Sequence, residues 1–144
     1  MQTPLSRPWD GQEAEVTLSP VLAREVARAL RIQLACELDR PLDEPLPTRE
    51  DAARLRTVLD VCVDLLEALS WGEPSHDARM VAPRRLLEAI RLELLDGGNE
   101  RLANPAGWNS PEAQRVRRQG RRMIRAAEAI GAVVASDPEY KLAS

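Results

Sequence analysis

Apolar residues recur at intervals of three and four positions in four separate stretches of the chain. This spacing places them on one face of an α-helix, so each stretch predicts an amphipathic helix. The predicted helices run from Pro20 to Asp39, from Arg49 to Ser70, from Pro83 to Asp96 and from Pro111 to Ala135. With mostly short connections between them, they predict an all-α protein without substantial sheet, folded as an antiparallel four-helix bundle.

Capping residues mark where these helices begin. Serine followed by proline opens the first and fourth helices, at Ser19 and Ser110, and suits an N-cap with proline in the first turn. Thr48 precedes the second helix, with Asp51 placed to complete a capping box. Gly97 is expected to end the third helix.

The length of 144 residues suits a single domain. We expect an irregular N-terminal segment over residues 1–18, a helical bundle over 19–136 and a C-terminal tail over 137–144. Because Pro83 disfavours one continuous helix, the region from Ser75 to Val81 could add a separate short helix before the third main helix.

Composition and the lack of known motifs argue against several functional classes. Charged residues make up 30% of the chain, and its apolar runs fall short of the roughly 20 residues of a membrane span. Cys36 and Cys62 have the spacing of neither a redox motif nor a zinc site. The motifs of phosphate-binding loops, dinucleotide sites, serine hydrolases and zinc proteases are missing from the sequence. We therefore expect a cytoplasmic, non-enzymatic protein without a cofactor.

Arginine is concentrated on the fourth predicted helix, in a chain whose net charge is −3. The candidate anion-binding face consists of Arg115, Arg118, Arg122 and Arg125. A basic helix can bind nucleic acid phosphates. Here the arginines lie opposite the apolar seam, where solvated charge is usual, and no stacking platform or helix-turn-helix pattern accompanies them. We expect a solvated or ion-paired face that binds duplex DNA weakly.

Two polar residues interrupt the apolar arc of the first helix. Gln33 and Glu37 lie four positions apart within it, and a desolvated carboxylate needs an arginine or another donor. We expect Glu37 to be paired within the fold, and the alternative is a ligand-binding or catalytic acid. Three acidic residues of the second helix could hold a metal ion, but they face away from its leucine seam and are expected to be solvated: Asp60, Asp64 and Glu67.

Three apolar side chains fall outside the predicted seams of the third and fourth helices, namely Leu92, Leu95 and Ile124. They form a candidate interface, and a two-fold dimer is the commonest way to bury such a patch. The leading hypothesis is a non-enzymatic helical-bundle protein that binds itself or a protein partner. Its alternatives are a small-molecule-binding or metal-dependent bundle enzyme using Glu37 and a nucleic-acid binder using the arginine helix.

Overall fold

The computed structural model describes residues 12–39, 48–71, 76–103 and 110–135. Helices account for 81% of these residues, which confirms the mainly helical class, whereas a regular four-helix bundle is not confirmed. The described elements follow the order β1 (Glu13–Leu18), α1 (Pro20–Leu38), α2 (Arg49–Trp71), β2 (Ala78–Pro83), α3 (Arg84–Leu102) and α4 (Pro111–Ala135). The predicted tail over 137–144 lies outside the described residues.

Side-chain caps fix the starts of α1, α2 and α4. Ser19 Oγ and Ser110 Oγ each accept a hydrogen bond from the backbone N–H three positions on, at 3.4 and 3.0 Å. Thr48 Oγ1 accepts the N–H of Asp51 at 3.1 Å, and the Asp51 carboxylate accepts the N–H of Thr48 at 3.0 Å. The predicted caps and the capping box are confirmed.

A small antiparallel sheet joins two segments for which no strand is predicted. β1 pairs with β2 so that Val16 lies opposite Met80 and Leu18 opposite Ala78. All four of these side chains are buried, as is Ala82, and the positions between them in each strand are exposed. The inner face of the sheet therefore belongs to the core.

The strands correct two predictions. The irregular segment expected over residues 1–18 contains β1 in residues 13–18, and the short helix expected from Ser75 to Val81 is replaced in part by β2. Polar and apolar residues alternate strictly from Glu13 to Leu18, which is a strand signal that the sequence analysis missed, whereas β2 alternates less regularly. Each strand is also defined by a partner that is distant in sequence.

Helices α3 and α4 pack backbone against backbone. A Cβ atom added to Gly98 would lie 2.9 Å from the carbonyl oxygen of Gly120, and one added to Gly120 would lie 2.9 Å from the carbonyl oxygen of Gly98. The prediction that Gly97 ends α3 is wrong, because the helix continues through both glycines to Leu102. Packing against α4 offsets the roughly 1 kcal/mol by which a glycine disfavours a helix interior.

The core lies between the inner face of the sheet and the buried sides of all four helices. α1 contacts the three other helices, and α2 packs mainly on α1 and β2. The largest fully buried side chains are Val16, Leu18, Val26, Leu30, Val58, Leu65, Leu86, Leu87, Ile90, Leu94, Ile130 and Val134. The contact between α1 and α4 brings together the polar side chains of the cluster described next.

Candidate functional site

A buried carboxylate joins α1 to α4. Glu25 is 3% exposed and is the one buried charged residue in the described part of the chain. Arg28 Nη1 donates to Glu25 Oε1 at 2.7 Å, and Gln119 Nε2 donates to the same oxygen at 3.4 Å. Arg122 Nε lies 3.9 Å from Glu25 Oε2, close enough for an ion pair but too far for a hydrogen bond. Three partners on two helices therefore compensate the desolvated charge.

The cluster extends to α3 through the amide of Gln119. Gln119 Oε1 accepts a hydrogen bond from Arg101 Nε at 3.2 Å. Arg101 is held in turn by donating from Nη1 to the carbonyl oxygen of Gly97 at 3.0 Å. The amide of Gln119 thus presents its oxygen to α3 and its nitrogen to Glu25, so one side chain connects three helices.

An open cleft of about 480 Å³ lies beside this cluster. Its lining residues come from α1 and α4, and they are Arg28, Glu112, Arg115, Val116, Arg118, Gln119 and Arg122. Three arginines of the predicted anion-binding face reach the cleft, but Arg125 does not line it. Arg28 joins them from α1, which the sequence pattern of α4 alone did not indicate.

Glu25 is the charged residue that the sequence analysis missed. It stands three positions after Leu22 and four before Ala29, both on the side of α1 that faces the core, and this spacing was the available signal. Gln33 is half-buried on the same helix. The side chain of Glu37 lies outside the described part of the structure, so its pairing stays a prediction.

The three candidate interface residues lie in different environments. Leu92 is 50% exposed, whereas Leu95 packs against the core. Ile124 is half-buried beside α3, where its Cγ1 is 2.8 Å from the position of a Cβ on Gly98. These positions do not combine into one exposed apolar patch.

A different apolar surface is exposed on α2. Leu59, Val63 and Leu66 are 48, 41 and 41% exposed and follow one another at spacings of four and three, so they share a face of the helix. The sequence pattern predicts that the inward seam of this helix consists of Leu55, Leu59, Cys62, Leu66 and Leu69. Cys62 is buried, but the prediction is wrong for Leu59 and Leu66, because Val58 and Leu65 occupy the core instead. The apolar arc of α2 is wider than the part that α1 and β2 cover. We call the exposed residues Leu59, Val63 and Leu66 the α2 stripe.

An acidic edge runs beside the α2 stripe. Asp60, Asp64 and Glu67 are all exposed, and at 100° per residue they lie on the side of the stripe away from the core. Within the described ranges, no group of three histidine, cysteine, aspartate or glutamate side chains is arranged to hold a metal ion. The α2 surface therefore combines an apolar strip with a negative border.

Comparison of the chain with known protein families, curated proteins and solved structures found no match. In the part of the chain that the structure describes, no helix combines the length and the apolar character needed to cross a membrane. Two surfaces of this molecule are candidates for binding, the arginine-lined cleft and the α2 stripe.

The two cysteines are expected to react at very different rates. Both are free thiols, and Cys36 is exposed while Cys62 is 3% exposed. Burial raises the pKa of the Cys62 thiol, an effect that the charge of Arg31 opposes only in part. An aromatic disulfide reagent at mildly alkaline pH should modify one thiol per chain rapidly and the second only after unfolding.

The matched control for this titration is Cys36→Ser. It should remove the fast phase and leave the slow one unchanged. Rapid modification of both thiols in the folded wild-type protein would contradict the buried position of Cys62.

Proposed function

We propose that this protein is a non-enzymatic binding module that docks an amphipathic helix of a protein partner on the α2 stripe. The supporting observation is the exposure of Leu59, Val63 and Leu66 along one face of α2. Helices that bind in this way present apolar anchors at the same spacings of three and four. The stripe offers the complementary row on the surface of a folded domain.

The acidic edge specifies the chemistry of the partner. A helix laid on the stripe would place one flank beside Asp60, Asp64 and Glu67, so basic residues on that flank are favoured. Charge pairs at such a rim raise the association rate and fix the orientation of the bound helix more than they add affinity. The proposed occupant is therefore a basic amphipathic helix.

The affinity is expected to be moderate. The three stripe residues are already about half covered, so burying the remainder contributes roughly 2–4 kcal/mol. The apolar anchors of the bound helix must contribute at least about as much again to exceed the entropy of association. Contacts of that size suit a reversible complex. The proposal thus describes a regulatory or adaptor interaction and not an obligate subunit.

Self-association is the less favoured form of the same function. In an antiparallel two-fold pairing of α2 with its copy, the acidic edges would lie on the same side and repel each other. The predicted dimer surface also loses support, because only Leu92 of its three residues is exposed. A second copy is therefore an outcome that the experiment must distinguish.

Peptide binding tests the proposal. Two designed helical peptides share leucine anchors and differ only in flanks of lysine or of glutamate, and binding is followed by fluorescence anisotropy. We expect the basic peptide to bind and the acidic peptide not to bind. Leu59→Ser with Leu66→Ser should weaken binding at least about tenfold, equivalent to 1.4 kcal/mol. Leu92→Ser, an equally exposed leucine on α3, should leave it unchanged.

Sedimentation equilibrium of the protein alone distinguishes the second copy from a partner. We expect a monomer at all concentrations. A dimer that Leu59→Ser with Leu66→Ser dissociates would make a second copy the occupant of the stripe. Equal binding of both peptides, or equal binding by the stripe variant and the Leu92 variant, would reject the proposed docking site.

We propose two further properties of this protein, its location in the cell and the arrangement of its helices. We propose a cytoplasmic location, supported by the two free thiols, which suit a reducing compartment. We also propose that sequential helices are antiparallel neighbours in a bundle, supported by the short connections between α1 and α2 and between α3 and α4.

A further inference from the structure

We propose that the cleft between α1 and α4 binds a small, multiply charged oxyanion of the phosphate class, such as the diphosphate group of a soluble metabolite. Four guanidinium groups from two helices line one cleft, those of Arg28, Arg115, Arg118 and Arg122. This site is separate from the α2 stripe in residues and in charge. It does not depend on the docking function.

The charge of the cleft is unbalanced within the described residues. The four arginines face two carboxylates, those of Glu25 and Glu112, which leaves a formal charge of +2. Glu25 is already occupied by Arg28 and Gln119. The guanidinium groups of Arg115 and Arg118 have no carboxylate within ion-pair distance in the described part of the chain. A dianion would complete the balance, and a trianion would exceed it by one charge.

The spacing of these arginines favours the binding of an anion. Arg115 and Arg118 lie three positions apart on α4, and Arg118 and Arg122 four apart, so like charges are neighbours on one helix surface. Such pairs of like charges destabilise a helix unless an anion lies between them. An oxyanion with several oxygens can accept bidentate hydrogen bonds from several guanidinium forks at once.

Glu25 positions two of the arginine side chains that would bind the anion, and it does not contact the anion itself. It is buried under the cleft, and it holds Arg28 by a hydrogen bond at 2.7 Å and Arg122 at ion-pair distance. Two arginines are thereby fixed at the floor while their side chains stay 51 and 37% exposed. Preorganised donors lose less conformational entropy when the ligand binds.

A nucleic acid is the less favoured source of the same phosphate chemistry. A polymer would meet the rest of a chain whose net charge is −3, and aromatic side chains make up only 3% of its residues. The cleft is an open space of about 480 Å³ with the carboxylate residue Glu112 in its lining. These features favour a compact anion over an extended backbone.

Calorimetric titration with pyrophosphate is the direct test, and thermal unfolding at matched ionic strength is the second readout. We expect pyrophosphate to bind at least about tenfold more tightly than orthophosphate or sulfate and to raise the midpoint of unfolding as its concentration increases. Arg115→Gln with Arg118→Gln should abolish both effects. The charge-matched control, Arg24→Gln with Arg125→Gln, removes two arginines outside the cleft and should retain them.

Three results would overturn the proposal. The first is equal stabilisation by pyrophosphate and sulfate, which would indicate general screening. The second is equal loss of binding in the two double variants while circular dichroism shows both to be folded. The third is tighter binding of a single-stranded oligonucleotide that displaces pyrophosphate, which would make a nucleic acid the ligand. None of these readouts uses the α2 stripe, so the outcome is independent of the peptide experiment.

Discussion

Replacement of Gly120 by valine is expected to lower the free energy of unfolding by about 3–5 kcal/mol. The first added carbon would lie 2.9 Å from the carbonyl oxygen of Gly98 and 3.1 Å from Arg101 Cβ, and the two further methyl groups need still more space. The obstacle on α3 is backbone and not the flexible end of a side chain. Relief therefore requires the two helices to move apart, which also loosens the core contacts of α3 and α4.

Urea unfolding followed by circular dichroism measures this effect, and Gly131→Val is the matched control on the same helix. A Cβ on Gly131 meets only Arg91 Cδ, at 3.3 Å, and a flexible arginine can shift away. We expect the control to change the free energy of unfolding by less than about 1 kcal/mol, since valine also has a better helix propensity than glycine. Equal losses at the two positions would contradict the close approach of α3 and α4.

The second large effect is expected from Val16→Asp in β1. Val16 is 0% exposed, and aspartate at this position would bury a carboxylate among apolar side chains. We expect a loss of about 3–5 kcal/mol, or a variant that is unfolded at neutral pH. Because protonation relieves the buried charge, the deficit relative to wild type should become smaller as the pH falls from the raised pKa of the buried aspartate to the ordinary pKa of the unfolded chain.

Thr17→Asp provides the control at the adjacent position. Thr17 is exposed on the outer face of β1 and is paired with Arg79 of β2, whose positive charge can accommodate a carboxylate. Its effect should stay within about 1 kcal/mol. If the two variants unfolded at the same urea concentration, β1 would not pack with one face on the core.

Local signals predict the helix starts but not all the helix ends. The caps at Ser19, Thr48 and Ser110 act within one helical turn, so a single sequence contains all the information that they need. The end of α3 depends on something else. Gly97 is a stop signal in isolation, and the packing of α4 against the adjacent Gly98 overrides it.

The same distinction explains the strands and the orientation of α2. β1 and β2 become strands because they pair with each other. The alternation of polar and apolar residues in β1 was the available local signal, and β2 shows it only in part. On α2 the apolar residues cover a wide arc, and the positions of α1 and β2 decide that Val58 and Leu65 turn inward while Leu59 is left exposed.

The candidate site could be predicted only in part. The arginine cluster is visible in the sequence of α4, and three of its four predicted members line the cleft. Glu25 and Arg28 belong to α1, and only the packing of α1 against α4 brings them to the same place. Periodicity identifies a face of one helix, whereas a site requires the relation between two.

The pairing of β1 with β2 has a consequence for the order of folding. It joins Leu18 to Ala78, so the whole of α1 and α2 lies within the loop that the sheet closes. Closing so long a loop is entropically unfavourable until the helices have shortened the distance between its ends. Helices α3 and α4 are consecutive helices, and their contact is the most extensive among the described elements. We therefore expect the α3–α4 hairpin to form the folding nucleus. The pairing of β1 with β2 should form last during folding and break first during unfolding.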